Sequence, residues 1–289
     1  MIEIDDNIFV ETEKLGSNNA IISTPEGLVL VDTPHRPSDA IRWRRLVESM
    51  GRVEYLIHTD HHIDHTMGNY FFPGRIVSHS MTRERLMNAA PTRQYLEDLL
   101  AVIDPEALRY MDEYRVRLPT VTYETAMTLH VGGLTFEFTH RRGHTLNSSI
   151  IFLQQQQVAF VGDLVCSAGL PAFIEADTFD WIDTVRHIEQ MDIRYLVPGH
   201  GPVCDKAMAT TFRGWIEDLV GEIETRIDRG LSREAVAAEV TYEDYIHIST
   251  GGSPAYPQHL MDMFIRRSIE TIYDQINERR ARLRPTAPG

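Results

Sequence analysis

The stretch Ile57 to Asn69 reads IHTDHHIDHTMGN, with four histidines and two aspartates in thirteen residues. Imidazole and carboxylate together suit divalent metals of the zinc, iron and manganese type. An apolar run, Val53-Glu54-Tyr55-Leu56-Ile57, leads into the stretch, so a strand delivers these groups into a loop. Residues at i and i+2 of such a loop can point one way. Asp60 and His62 are therefore expected to serve one ion, and Asp64 and His65 a second. His61 points away from Asp60 and His62.

Three further segments offer single ligands beside glycines. Arg142-Gly143-His144-Thr145 lies between strands, and Gly143 allows an unusual backbone angle just before His144. Phe160-Val161-Gly162-Asp163 ends an apolar strand on a carboxylate. Leu196-Val197-Pro198-Gly199-His200-Gly201-Pro202 ends another on an imidazole. Asp60, His62, Asp64, His65, His144, Asp163 and His200 make seven ligands. That number suits two ions, each with three terminal ligands, and Asp163 between them.

The elements that position these groups follow from periodicity. Ile8-Phe9-Val10, Asn19 to Ser23 and Leu28 to Val31 read as strands, with Thr24-Pro25-Glu26-Gly27 as a turn. The third of these ends on Asp32. Pro37-Ser38-Asp39 opens a helix that stops near Met50-Gly51. Strands follow at 53–57 and 76–78. Residues 81–115 read as helical (Arg83 to Asn88, Thr92 to Ile103, Pro105 to Tyr114), an insertion lying over one edge of the site. Strands return over 121–161, with hairpin turns at Gly132-Gly133 and Gln154 to Gln157. Trp181 to Met191 is a helix and Tyr195 to Val197 a strand. Helices are expected over Lys206 to Arg229, Arg233 to Val240 and Leu260 to Arg282, a C-terminal extension of about 206–283. Hairpins then a helix, twice over, predict an α+β fold: a four-layer αββα sandwich in one domain, 1–289.

Composition excludes other classes. The chain has 289 residues, 43% of them hydrophobic, ample for a packed core. Net charge is −14, from 42 acidic against 28 basic residues, which argues against nucleic acid or a membrane surface as partner. No stretch approaches a membrane span. Two cysteines, Cys166 and Cys204, do not make a disulfide scaffold; they read as buried small residues. A cytoplasmic protein with a small-molecule substrate is expected.

On these motifs the sequence resembles the metallo-β-lactamase fold superfamily of metallohydrolases. Its HxHxDH signature and later single His, Asp and His match Asp60, His62, Asp64, His65, His144, Asp163 and His200, and the likeness covers about residues 8 to 205. The resemblance implies the αββα fold and a cofactor of two divalent ions, zinc first, with manganese or iron as alternatives. It implies that His62, His144 and Asp60 hold one ion, and Asp64, His65 and His200 the other. Asp163 then bridges, Asp64 orients a metal-bound hydroxide as the catalytic carboxylate, and Asp32 supports the metal loop. The family's first histidine is Asp60 here. Asp60, Asp64 and Asp163 contribute −3; two divalent ions and a hydroxide bring the sum near zero, where a histidine would leave +1. A less acidified water and more tolerance for manganese or iron are expected.

The remaining candidates divide. His58, His61 and His140 read as loop or structural residues. His35, in DTPHRP, either lines the cavity mouth or is an exposed loop residue. Tyr242, Tyr245 and His247 lie in a Gly/Pro-rich segment, Tyr242 to Pro257, that either folds over the site and grips substrate or packs as a loop. Leu260 to Arg282, with Met261, Phe264, Ile269, Ile272 and Ile276, packs on the sandwich or forms a homodimer. The leading expectation is a binuclear hydrolase acting on an ester, lactone, thioester or amide. The alternatives are an iron-dependent oxygenase or oxidoreductase of the same fold, and a metal- or ligand-binding protein without turnover.

Overall fold

Alternation along the strands decides the layers. In the computed structural model, which describes residues 1–242 and 256–283, two sheets face each other. The first runs β1 (Ile2–Asp5), β2 (Ile8–Glu11), β3 (Asn19–Thr24), β4 (Gly27–Val31), β5 (Val53–Ile57), β6 (Arg75–His79) and β7 (Val121–Tyr123), in that order. The second contains β8 (Ala126–Val131), β9 (Leu134–His140), β10 (Ser149–Leu153), β11 (Val158–Cys166) and β12 (Tyr195–His200), with β12 at one edge and β8 at the other. β4 to β7 run parallel, as do β11 and β12; the other pairs are antiparallel hairpins. Parallel neighbours align their carboxyl ends, where ligands collect in α/β sheets.

One side of each strand fills the space between the sheets. Ala20, Ile22, Val29 and Val31 meet Phe136, Phe138, Ile151 and Phe160 there. The other side is covered by helices. Ile21, Leu28 and Leu30 pack under Trp43 and Val47 of α1 (Pro37–Met50). These are four layers, an αββα sandwich.

α2 (Ile63–Thr66), α3 (Ser80–Asn88) and α4 (Arg93–Ile103) follow in chain order on the first half. α4 buries Leu96, Leu99 and Leu100 against Met67 and Leu15, beside the metal loop, as the helical insertion requires. The expected helix at Pro105 to Tyr114 is instead a 3-10 turn, Pro105–Tyr110. Pro105 supplies no N–H, and Asp104, whose carboxylate accepts from Ser38 N at 2.9 Å, is held non-helical before it.

α5 (Thr178–Gln190), α6 (Ala207–Asp228), α7 (Arg233–Glu239) and α8 (Gln258–Leu283) follow. α5, α6 and α8 cover the second sheet, where Ala159, Val161 and Leu196 meet Trp181, Phe212 and Ile216. The apolar face of α8, Ile265, Ile269, Ile272 and Ile276, is buried in this same cluster. Packing on the sandwich therefore accounts for that face. Among the described residues no helix is long and apolar enough to cross a membrane.

Candidate metal centre

The loop after β5 is shaped from beneath by Asp32. This residue takes a left-handed backbone angle (φ 53°) just after β4. Its Oδ1 accepts from Thr59 N at 3.0 Å, and its Oδ2 accepts from Thr59 Oγ1 at 2.7 Å and from His65 Nδ1 at 2.8 Å. His58 Nδ1 lies 3.3 Å from Oδ1. Burial opposes the charge on Asp32, but the His65 and His58 imidazoles outweigh it and hold the carboxyl below its ordinary range. Because His65 spends its Nδ1–H on Asp32, its Nε2 is left to face the cluster. The expected supporting role of Asp32 is what the hydrogen bonds describe, and His58 belongs to that support.

The loop then makes one helical turn rather than remaining extended. The His62 carbonyl accepts from His65 N at 3.0 Å, Thr66 N at 3.1 Å and Thr66 Oγ1 at 2.9 Å. This turn separates Asp60 and His62 from Asp64 and His65, the division expected from alternation but reached by another geometry.

The later candidate residues arrive from the second sheet. Asp163 is not at the tip of its strand, as expected; β11 continues to Cys166. Gly162 takes φ 51°, the β11–β12 register slips beside it, and the carboxylate turns into the cluster within the strand. His200 ends β12. Gly199 is required by proximity: a Cβ there would stand 1.8 Å from Asp163 Oδ1. Gly143 is also needed for space and not for an unusual angle, since its φ is not positive and a Cβ would meet Leu164 at 2.7 Å and Trp181 at 3.0 Å.

All seven expected residues converge. Asp60, His62 and His144 place ligand atoms within 4.8 Å of one another, as do Asp64, His65 and His200. Asp163 faces both groups. Its Oδ2 lies 3.3 Å from His144 Nε2, and its Oδ1 lies 3.3 Å from His65 Nε2 and 3.4 Å from His200 Nε2. Asp60 divides its oxygens: Oδ1 accepts from His62 N at 2.9 Å, and Oδ2 lies 3.4 Å from His62 Nδ1.

Asp60 Oδ2, His65 Nε2 and Asp163 Oδ1 are buried, share one group, and have no hydrogen-bond partner. Buried polar atoms facing one another in this way are costly unless a cation lies among them. The donor set therefore fits divalent ions, each triplet offering both imidazole and carboxylate. The protonation of the residues agrees. Burial disfavours the imidazolium of His62, yet Asp60 and its neighbours raise it to about 9. Burial likewise opposes His200, but Asp163 and Asp64 raise it to about 10. His65 is pushed well above its ordinary value despite burial, chiefly by Asp60 and Asp32. His144, by contrast, is lowered by burial. Asp60 and Asp163 are held far below the usual carboxylate range by the imidazoles around them, against the effect of burial. Without ions, protons carry the positive charge that the carboxylates require.

Above this cluster opens a cavity of about 660 Å³, with Asp64, His144, Asp163 and His200 in its lining. His35 lines it and is not an exposed loop residue; it is 2% exposed. Its Nδ1 shares a 2.8 Å hydrogen bond with the Tyr256 hydroxyl. Burial lowers the His35 imidazole to about 4, so it is neutral at pH 7. His61 lines the cavity too, tied by Nδ1–H to Asn147 Oδ1 at 2.9 Å and facing Glu175 at 3.5 Å. Tyr242 takes the packed alternative. It does not reach the cavity; it is buried beneath α8, its hydroxyl donating to the Pro171 carbonyl at 3.1 Å and its ring against Trp215. Tyr245 and His247 lie outside the described residues. Tyr256, from the same Gly/Pro-rich segment, was missed because it sits beside Pro257, where nothing distinguishes it from a packing residue. His140 is structural, stacked on His79 with its Nε2–H on the Leu146 carbonyl. Both cysteines carry free thiols, Cys166 in the cavity lining and raised well above its usual pKa by burial.

Comparison with known proteins places this geometry. A sequence model described as the metallo-beta-lactamase superfamily matches residues 13–200. A beta-lactamase-like protein 2 homolog from Caenorhabditis elegans is 24% identical over 231 residues, 79% of this chain and 66% of that protein. An atrochrysone carboxyl ACP thioesterase from Aspergillus fumigatus is 23% identical over 225 residues, 76% of this chain and 58% of that protein. The chain thus matches less than two thirds of the length of either relative. A solved structure of a metallo-beta-lactamase family protein from Thermus thermophilus superposes with a TM-score of 0.68 at 13% identity, covering 96% of this chain and 95% of that one. The fold, the ordered ligand motifs and the match across the residues that carry them agree, and the chain belongs to the metallo-beta-lactamase superfamily.

Proposed function

We propose that this chain is a metal-dependent hydrolase holding two divalent ions, zinc first, that cleaves an ester, thioester, lactone or amide of a small molecule. The observation that carries the reading is Asp163, whose two oxygens face separate ligand triplets at the floor of a cavity. His62, His144 and Asp60 would hold one ion; Asp64, His65 and His200 the other. Bound there, the ions would acidify a water and polarise the scissile carbonyl.

The chain's own groups do the rest. Asp64 lines the cavity and keeps one oxygen 3.2 Å from His200 Nε2. It is ionised, because His65 and His200 outweigh the effect of burial, so it can orient an attacking water and take its proton. Asp32 fixes the His65 ring through Nδ1, which keeps the floor rigid while charge develops above it. Tyr256, held by His35, sets a hydroxyl into the cavity wall. The thioesterase relative supports acyl transfer to water as the reaction class. The test is a panel of p-nitrophenyl esters, acyl thioesters, lactones and β-lactams on protein stripped of metal and reloaded with zinc. Turnover that returns on reloading supports the reading; turnover indifferent to metal, or none on any substrate, overturns it.

A further inference from the structure

The chemistry of the cavity wall goes beyond the reaction class, and it rests on the hydrolase reading above. The wall has two principal sources. α4 contributes Tyr95 and Leu99. α8 contributes Leu260, Met261 and Phe264, from a helix that begins beyond the residues matched by the family model. Both sources are anchored. Leu99 is buried in the cluster that also holds Leu260. α8 is pinned by Ser268, whose hydroxyl accepts from Phe173 N at 2.9 Å, and by Gln275, which accepts from Thr178 N at 2.9 Å and donates to the Ala176 carbonyl at 2.6 Å.

Charge on this wall is one-sided. No lysine or arginine lines the cavity among the described residues. Among the described residues, the charged side chain on the wall away from the floor is Glu175, which lies 3.5 Å from His61 and 3.3 Å from Arg85. A carboxylate pushed along these side chains, away from the floor, would lose its hydration and meet no lysine or arginine of the lining, the nearby Arg85 being already paired with Glu175, a penalty that apolar contact does not offset. A methylene chain loses nothing and gains its transfer free energy.

From this wall we infer that the substrate's acyl group is an uncharged aliphatic chain lying between α4 and α8, with its carbonyl on the metal floor. The chamber excludes acyl groups that carry their own carboxylate, including the dicarboxylic monoacyl compounds. Its volume, about 660 Å³, suits a chain of several carbons and is within the range of small-molecule cavities.

The test uses the zinc-loaded full chain with p-nitrophenyl acetate, butyrate and hexanoate, and with the p-nitrophenyl monoester of adipic acid. kcat/KM is expected to rise about three- to fourfold per methylene from acetate to hexanoate. The adipate monoester should fall at least about tenfold below hexanoate. Phe264→Lys and Met261→Lys, on half-buried positions of α8, place a cation in the chamber and should shift the hexanoate-to-adipate ratio by about tenfold or more toward adipate. A flat chain-length profile, or adipate matching hexanoate in the unaltered protein, overturns the inference. Calorimetric titration with hexanamide and adipamic acid separates it from the hydrolase reading. If no ester is cleaved but hexanamide binds in preference to adipamic acid, the chamber stands and the hydrolase reading falls. If neither turnover nor binding separates the pair, the chamber falls.

Discussion

Zinc binding to the metal-depleted protein at pH 7 is expected to expel about three protons per chain. The number comes from the imidazoles. His62 is raised to about 9 and His200 to about 10, and His65 is raised well above its ordinary value, so all three are protonated at pH 7. Burial lowers His144, so it contributes none. The carboxylates are already ionised and contribute none. A metal ligand must be the neutral ring, so each of the three protons leaves when the ions enter. Joint affinity for two ions should then rise about a thousandfold per pH unit between pH 7 and 8. The metal-free fold moves the other way. Its imidazolium–carboxylate pairs stabilise it fully below the unfolded histidine value of about 6.5. That stabilisation is lost as pH rises through about 9 for His62 and about 10 for His200. The gain in melting temperature on adding zinc should therefore widen steadily from pH 6.5 to 9. The assay is calorimetric titration of zinc at pH 7 in buffers of different ionisation enthalpy, where the slope of observed heat against buffer enthalpy counts protons. A slope near three supports the account, and a bound water that ionises adds up to one. A slope of one or less refutes it.

Four further substitutions have expected outcomes, three at the site and one away from it. Asp60→His adds one positive charge to the loaded centre; the acid limb of the kcat/KM profile should move down by about 1 pH unit, and manganese retention should fall relative to zinc. An unmoved limb would show that Asp60 Oδ2 does not act on the centre. Asp32→Ala strips three hydrogen bonds from Thr59 and His65. It should cost about 10- to 100-fold in zinc affinity, measured by chelator competition, with Asp32→Asn milder because asparagine tolerates the left-handed backbone there. Gly199→Ala drives a methyl into Asp163 Oδ1 and should abolish tight binding of one ion. Gly214→Ala, in the middle of α6 with nothing within 4 Å of the added Cβ, should raise stability by about 1 kcal/mol in denaturant titration and leave zinc affinity unchanged.

The fold was legible where side-chain period and burial coincide. Ile21, Leu28 and Leu30 against Ile22, Val29 and Val31 define two faces of one sheet, and a two-residue period reports this directly. The convergence of the seven candidate residues was legible because imidazole and carboxylate crowd at strand ends beside glycine, a pattern that structure alone seldom requires. What failed was local geometry. Sequence does not separate a glycine needed for its backbone angle from one needed for space, so Gly143 was misread while the wall of Trp181 explains it. Nor does it show that β11 continues through Asp163: Gly162 takes its positive φ inside the strand, and Thr59 stands where a side chain on it would lie. Tyr242 and Tyr256 flank the same segment, yet only the second reaches the cavity, and that choice is made by the packing of α8 on the second sheet.

The central claim is that Asp163 joins two ions into one hydrolytic centre. The direct measurement is zinc content by mass spectrometry, with p-nitrophenyl hexanoate turnover, on the unaltered chain and on Asp163→Ala. The account predicts about two zinc ions per chain falling to about one or fewer, with turnover reduced by at least about a thousandfold. Two ions retained in Asp163→Ala with turnover unchanged would contradict it.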